Sequence, residues 1–473
     1  MMQNKWWQRL AVFSLPWLLA GCLSLDPDYQ RPALPVTLGD STAADHTDGY
    51  PQLAWRDYIT DARLRQVVAL SLDANRDLRE AIANIAAARA LYAESRASLL
   101  PTLDAGLDGS RSRALTGSGN ATTISQSYQA EASTSAFELD LFGKNRSQTR
   151  AQYENYLSSA EAARSTRLTV IATVVEAWIA LAADRSNLAA AQDTAASAQR
   201  SLTVTRNNQR HGIVSLVDVA SAETVYQAAR ADVAEYATLV EQDNNALVLA
   251  VGQPVAANLL PDGIDALAGS MKELSAGVSS QVLLNRPDVL AAEHTLKAAN
   301  ADIGAARAAF FPTISLTASG GVGSASLSSL FSRGAGIWSF APSISLPIFS
   351  GGYNSAALDY ANAQQRADVA SYEKTVQTAF QEVSDALARR ATLHQQLSAQ
   401  RGNVAAAQQY AHLAELRYRH GVDSYLNLLT AQRTLYSARQ SLISVQQTHY
   451  QNLITLYKVM GGGSARPATD KTD

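Results

Sequence analysis

Residues 338–348 read Trp-Ser-Phe-Ala-Pro-Ser-Ile-Ser-Leu-Pro-Ile. Trp338, Phe340, Ile344, Leu346 and Ile348 alternate with Ser339, Ala341, Ser343 and Ser345, close to the two-residue period of a strand whose faces meet different surroundings. Upstream, Ile314, Leu316, Ala318 and Val322 alternate with Thr313, Ser315, Thr317 and Ser319. Weaker versions run from Thr102 to Arg111 and from Ser125 to Leu141. Strands are therefore expected at about 102–111, 125–141, 313–323 and 337–348, joined by Gly- and Ser-rich loops such as Gly117-Ser118-Gly119-Asn120 and residues 320–336. Segments that are apolar on one face and small and polar on the other suit lipid outside and water inside, as in a transmembrane barrel. A half-buried sheet of a soluble protein carries the same pattern. If the sheet spans a membrane, one chain cannot close it, because closed barrels start at about eight strands. Open edges in hydrocarbon leave backbone groups unpaired, so chains must share the barrel: two copies supply about eight strands and three about twelve.

Working outward, the same local patterns occur twice at an offset of about 209 residues, far beyond solenoid periods. Leu99-Leu100-Pro101-Thr102-Leu103 returns as Phe310-Phe311-Pro312-Thr313-Ile314. Leu139-Asp140-Leu141-Phe142-Gly143 returns as Leu346-Pro347-Ile348-Phe349-Ser350-Gly351, and Arg210-His211-Gly212 as Arg419-His420-Gly421. After each of these turn glycines a seven-residue ladder follows, Val219, Tyr226, Val233, Val240 and Leu247, then Leu428, Leu435, Leu442, His449 and Leu456. Neither Pro nor Gly interrupts residues 144–211, a stretch rich in helix formers that extends roughly 100 Å as one helix. From Tyr353 to His420 the second copy matches, apart from Gly402. Helices this long need lateral partners, either in the wall of a tube or in a coiled-coil rod.

Charge excludes little. The 473 residues carry a formal charge of −3, which offers no basic surface for nucleic acid. The single cysteine, Cys22, rules out a disulfide framework. It follows Lys5, Arg9 and an apolar stretch from Leu10 to Ala20, too short to span a bilayer and suited to a cleaved secretory signal over 1–21. Leu19-Ala20-Gly21-Cys22 resembles a bacterial lipobox, which implies acylation of Cys22; Leu23, where an aspartate would signal retention, implies delivery to the outer membrane. No later segment shows about 20 continuous apolar residues. Phosphate-loop, nucleophile-elbow and metal-spaced histidine motifs are absent from the sequence, so neither enzyme chemistry nor a cofactor is expected.

Together with Pro27-Asp28-Tyr29-Gln30-Arg31-Pro32, Phe137 to Gly143 and Asn285-Arg286-Pro287-Asp288, these features resemble the outer membrane factor family, in its lipoprotein branch of TolC-type, NodT-like efflux channels. The resemblance implies a mainly α protein with a membrane β-barrel portion: a homotrimer sharing a 12-stranded β-barrel continued by a 12-helix periplasmic α-barrel, each chain an internal tandem repeat. It divides the chain into a lipid-anchored segment (22–60), a first repeat (61–252), an equatorial linker (253–286), a second repeat (287–461) and a tail (462–473). The implied partners are a periplasmic adaptor, an inner-membrane efflux pump and outer-membrane lipid. The implied activity is passive efflux of small molecules.

In such channels the helix reversals form the periplasmic tip. Arg417-Tyr418-Arg419-His420-Gly421 matches the family's Arg-Tyr-x-x-Gly tip, whereas Asn208-Gln209-Arg210-His211-Gly212 keeps only the glycine. The implied adaptor-docking residues are Arg210, His211, Gly212, Val214, Ser215, Arg417, Tyr418, Gly421, Val422 and Ser424, with Leu216 and Leu426 beside them. An acidic gate ring is implied at positions held here by the uncharged Asn427 and Thr430; Asp218, six residues after Gly212, is the acidic candidate, with Arg417 and Arg419 as ties between helices. Two alternatives stand beside efflux: a coiled-coil periplasmic scaffold lipoprotein without a pore, and a protein-secretion duct of the same fold.

Overall fold

The computed structural model describes residues 24–33, 53–115, 122–273 and 280–462. The signal segment, Cys22, the loop Gly117 to Asn120 and the tail beyond Gly462 lie outside the described residues. A short turn of helix α1 (Trp55–Tyr58) and helix α2 (Ala62–Ala74) precede one element order used twice. The first use is α3 (Arg76–Ala97), β1 (Asp104–Leu115), β2 (Thr122–Leu139), α4 (Lys144–Arg210) and α5 (Leu216–Val251). The second is α6 (Pro287–Ala308), β3 (Thr313–Ser324), β4 (Gly336–Ser345), α7 (Tyr353–Arg419) and α8 (Tyr425–Val459). Matching helices agree in length: α3 and α6 have 22 residues each, α4 and α7 have 67 each, and α5 and α8 have 36 and 35. Left-handed glycines punctuate both copies at the same offset of about 209 residues: Gly143 and Gly352, Gly212 and Gly421, Gly252 and Gly461.

The chain divides into two compact units. The first comprises residues 1–33, 84–159 and 291–373. It holds one antiparallel sheet in the order β1-β2-β3-β4, whose outer edges on β1 and β4 have no strand partner among the described residues. Ser133 lies opposite Ser319, which lies opposite Ser339, and residues facing each other across strands share a face. The serine hydroxyls bond across that face, Ser315 to Ser343 at 2.7 Å and Ser319 to Ser339 at 3.0 Å. Leu107, Ile344, Trp338 and Phe340 stand exposed on the other. Between Thr134 and Phe137 the register shifts by a bulge, with Ala136 at φ 50° and its N–H donating to Thr317 Oγ1 at 3.1 Å. Without the inserted residue Phe137, opposite Leu316, would fall on the serine face.

All four strands differ by a few residues from their sequence-based bounds: β1 starts at Asp104 rather than 102, β2 spans Thr122–Leu139 rather than 125–141, β3 ends at Ser324 rather than 323, and β4 starts at Gly336 rather than 337. β1 runs to Leu115 rather than Arg111, because the ladder continues through two arginines that break the apolar alternation. β4 stops at Ser345 rather than Ile348, ahead of Pro347, which has no N–H to donate. Beside the sheet, the segment 24–33 lies along α6: Arg31 Nη2 donates to Glu293 Oε2 at 2.7 Å, and Asn300 donates to the Pro27 carbonyl at 2.7 Å. Burial raises the Glu293 carboxyl, but the Arg31 hydrogen bond and the Lys297 charge outweigh it and leave it below the usual range. At Gly304 any Cβ would overlap Asp26, so only glycine lets this segment pass so closely.

The second unit comprises residues 34–83, 160–290 and 374–473. Its core joins α1, α2, Val170 to Ala183 of α4 and the C-terminal ends of α5 and α8. Trp178 is fully enclosed and donates from Nε1 to the Leu259 carbonyl at 3.1 Å. α4 contains one window long and apolar enough by composition to cross a membrane, though polar residues such as Thr173 and Glu176 interrupt its apolar run; just over half of that window is buried inside the protein, as in a core helix. Arg286, nearly enclosed, pairs with Asp288 and Glu382 at 2.7 Å each and donates to the Val459 carbonyl at 2.9 Å, pinning the start of the second copy to its end. Gly252 ends α5 at φ 83°, and a Cβ there would lie 2.6 Å from the Ala74 carbonyl oxygen. Gly252→Ala is therefore expected to cost about 2–4 kcal/mol, combining left-handed strain with a backbone clash. The measurement is the chemical unfolding midpoint; an unchanged value would refute the close approach.

Candidate functional site at the paired helix turns

The two helix reversals lie in the second unit and are built alike. At the first, Gly212 N–H donates to the Gln209 carbonyl at 2.9 Å and Ile213 N–H to the Asn208 carbonyl at 2.9 Å. At the second, Gly421 N–H donates to Tyr418 at 3.0 Å and Val422 N–H to Arg417 at 2.9 Å. Both are Schellman ends, which need a left-handed residue, and the glycines sit at φ 74° and 71°. An added Cβ would meet nothing within 4 Å at either, so glycine is needed there for its backbone alone. Gly421→Ala is accordingly expected to cost only about 1–2 kcal/mol, felt as faster hydrogen exchange confined to the turn. Exchange spreading along both helices would contradict this.

The two turns are brought together by one cluster. Ala198 and Leu202 of α4, Ala222 and Val225 of α5, Ala411, Ala414 and Tyr418 of α7, and Tyr425, Leu428 and Ala431 of α8 are buried in it. The alanines allow close helix approach, and the ladder residues Val219, Tyr226 and Leu435 pack at its margin. Tyr418 and Tyr425 meet edge to face at 5.6 Å. Thr205 Oγ1 donates to the Ser201 carbonyl at 2.9 Å, so at 3.1 Å it accepts from the Tyr418 hydroxyl. Tyr418 thus faces inward as a clamp between the copies and offers no docking surface of its own. Burial, with Tyr418 and Asp218 nearby, pushes the Tyr425 hydroxyl up to about 12.

The polar residues close on local partners. Ser215 caps α5 in a reciprocal box: its N–H and hydroxyl donate to Asp218 Oδ2 at 2.9 and 2.8 Å, and Asp218 N–H donates to Ser215 Oγ at 3.3 Å. Asp218 thus has a task within its own turn. In the second turn Ser424 makes no side-chain cap; Asp423 accepts from Ser424 N–H at 2.9 Å, from Arg417 Nε at 3.1 Å and from Asn427. Thr430 donates to the Leu426 carbonyl at 2.8 Å, Arg419 pairs with Glu415 at 2.5 Å, and Arg206 pairs with Glu223. His211 Nδ1, 2.8 Å from the Asn207 carbonyl, must carry the proton it donates.

Asp423, which sequence reasoning passed over, is the hub of this turn; only its place directly before a helix-starting serine hinted at it. The Asn427, Arg417 and Ser424 hydrogen bonds hold its carboxyl below the usual range. A depressed folded value means that its contribution is complete above the ordinary carboxylate range and vanishes as pH falls through the folded value. Protection of the 417–427 amides, corrected for intrinsic exchange, should therefore be equal at pH 7 and about pH 5 and fall only in stronger acid. A loss already complete at about pH 5 would refute the hub.

Apolar side chains remain outside the cluster. Ile213, Leu216 and Val217 at the first turn, and Val422 and Leu426 at the second, are exposed. Ile213 matches Val422 and Val217 matches Leu426 between the copies, although no motif in the sequence marks Ile213 or Val217. Val214 is half-buried, and Arg210, Ser215 and Ser424 are exposed. Beside the cluster a groove of about 460 Å³ runs between α4, α5 and α8, walled in part by Asp193, Arg200, Asp232, Arg433 and Arg439.

The sequence model described as outer membrane efflux protein matches residues 67–253 and 278–462. The chain is 44% identical over 466 residues to the antibiotic efflux pump outer membrane protein ArpC of Pseudomonas putida, covering 96% of this chain and 95% of that one. The same identity and coverage hold for the toluene efflux pump outer membrane protein TtgC of the same species. Among solved structures, the open state of the Neisseria gonorrhoeae MtrE outer membrane channel matches with a TM-score of 0.82 and 39% identity, over 95% of this chain and 100% of that one.

Proposed function

The chain belongs to the outer membrane efflux protein family, and on that premise we propose how its parts divide the work of an outer-membrane efflux channel. Three copies share one barrel, with the serine face turned to water and the apolar face to lipid. One observation carries this: a four-stranded sheet, apolar on one side, polar on the other and open at both edges, has its edge groups satisfied in a membrane only when copies close the ring. The channel works passively with a periplasmic adaptor and an inner-membrane pump, and a scaffold without a pore is set aside. Cys22 is the acylation site that ties the chain to the membrane. We assign no enzymatic activity to it, because the family is one of ducts.

The paired turns form the periplasmic tip. The exposed Ile213, Leu216, Val217, Val422 and Leu426, with the adjoining groove, suit the apolar side of an adaptor hairpin. Arg210, His211, Val214, Ser215 and Ser424 border that seat. Tyr418 and the Arg417–Asp423 pair hold the tip closed, with Asp218, Arg419, Asn427 and Thr430 keeping the turns in shape. Small apolar molecules such as solvents and antibiotics are the proposed cargo, which the names of the relatives support over protein secretion. The test is a strain lacking this gene, challenged with toluene and with a panel of antibiotics. Resistance restored by wild type and not by Val422→Asp/Leu426→Asp supports both cargo and seat; full rescue by that variant removes the seat.

A further inference from the structure

The strands sort their charges by face. β1 carries Asp104, Asp108, Arg111 and Arg113, β2 carries Glu131 and Glu138, and β3 and β4 carry no charged residue. Asp104 lies opposite Ser133, Asp108 opposite Gln129, and Glu131 opposite Gly106 and Gly321, so these carboxylates share the serine face. Past the bulge, Glu138 lies opposite Ser315 and joins them. The two arginines lie opposite Gln126 and Ile124, in the row that contains Leu107 and Ala130, and so project from the apolar face. Arg113 Nε confirms the direction by donating to Thr122 Oγ1, on the same face, at 3.0 Å.

Along that row toward the β1–β2 turn, the pairs are Leu107 with Ala130, Gly109 with Tyr128, Arg111 with Gln126, and Arg113 with Ile124. The Tyr128 ring lies over Gly109, 3.2 Å from where a Cβ would stand. The order apolar, tyrosine, arginine is that of a barrel wall crossing from hydrocarbon through the interface into the headgroups. An arginine on a lipid face is penalised at the midplane and tolerated near the interface, which places this pair in the headgroup layer. The β1–β2 turn lies at the end of the strands away from α3 and α4, which for a channel extending into the periplasm is the outer leaflet.

Among the described residues no carboxylate is paired with either of these guanidinium groups. Residues 109–130 and 313–352 contain no acid, and the one charged residue in the second stretch is Arg333. The β4 hairpin of a neighbouring copy, set against the free edge of β1, therefore brings none either. We propose that Arg111 and Arg113 bind the phosphate groups of the outer-leaflet glycolipid, lipopolysaccharide in an outer membrane, on the outside of the barrel. Their spacing of about 7 Å along one strand lets two forked donors clamp one phosphorylated headgroup. The proposal rests on the barrel reading of the sheet.

The test uses the purified full-length channel in nanodiscs, titrated with bisphosphorylated lipid A and read by native mass spectrometry. Arg111→Gln and Arg113→Gln should each weaken binding about fivefold, and the double variant about thirtyfold. Lipid A without phosphate should bind the wild type as weakly as bisphosphorylated lipid A binds the double variant, and equimolar inorganic phosphate should not displace the lipid. Trimer mass and conductance should stay unchanged. Equal lipid A affinity in wild type and double variant, with conductance intact, would overturn the site and mean solvated arginines only; displacement by inorganic phosphate would overturn the lipid as its occupant. If wild type itself neither trimerises nor conducts, the barrel reading fails instead. Should the double variant not assemble, the single variants decide.

Discussion

Gly321→Val is expected to abolish channel formation while leaving helix content largely intact. An ideal Cβ on Gly321 would overlap the Ala130 carbonyl oxygen and lie 2.6 Å from Glu131 Cα and 2.8 Å from its Cβ, all on the neighbouring strand β2. These atoms cannot turn aside as the far end of a long side chain can. The β2–β3 ladder must part to make room, leaving N–H and C=O groups unpaired where lipid supplies no substitute, at several kcal/mol each. Gly320 is the control: a Cβ there meets nothing within 4 Å, so Gly320→Ala should insert and conduct normally. Heat-stable trimer on gels and bilayer current read the difference; a conducting Gly321→Val trimer would contradict the register.

Trp178→Ala should be the most damaging single change in the second unit, at about 3–5 kcal/mol. The indole is fully enclosed among residues of α4, α2 and the segment after α5, and its N–H donates to the Leu259 carbonyl. Alanine leaves both a large cavity and an unpaired carbonyl acceptor. Trp178→Phe keeps most of the volume and loses the hydrogen bond, so it should cost about 1–2 kcal/mol. Denaturant midpoints followed by circular dichroism separate the two; equal losses would mean that the hydrogen bond, not the volume, dominates.

Much of this was legible in the sequence because it rests on local rules. Gly212 and Gly421 end helices, Trp338 to Ser345 alternate with a period of two, and the repeat shows as paired motifs. What escaped depends on approach in space. Nothing in the local pattern announces that Gly304 makes room for Asp26, or that the bulge before Phe137 turns that ring back to the apolar face. Arg111 and Arg113 hid the true end of β1, since an apolar-outside rule stops at the first arginine. The Arg-Tyr pair at 417 and 418 was visible as a motif, yet its division of labour was not: Tyr418 turns inward to Thr205, while Arg417 stays at the surface with Asp423. Asp218 stood out as an acid near a turn, and the structure gives it a capping partner three residues away.

On the proposed function, copies of this chain close around a water-filled path whose tip is held by Arg417 and Tyr418. Single-channel current of the purified protein in a planar bilayer tests it most directly, comparing wild type with Arg417→Ala/Tyr418→Phe. Discrete current steps in both, larger and longer-lived in the variant, are the predicted result. Protein that is inserted and trimeric yet passes no current in either form would contradict it.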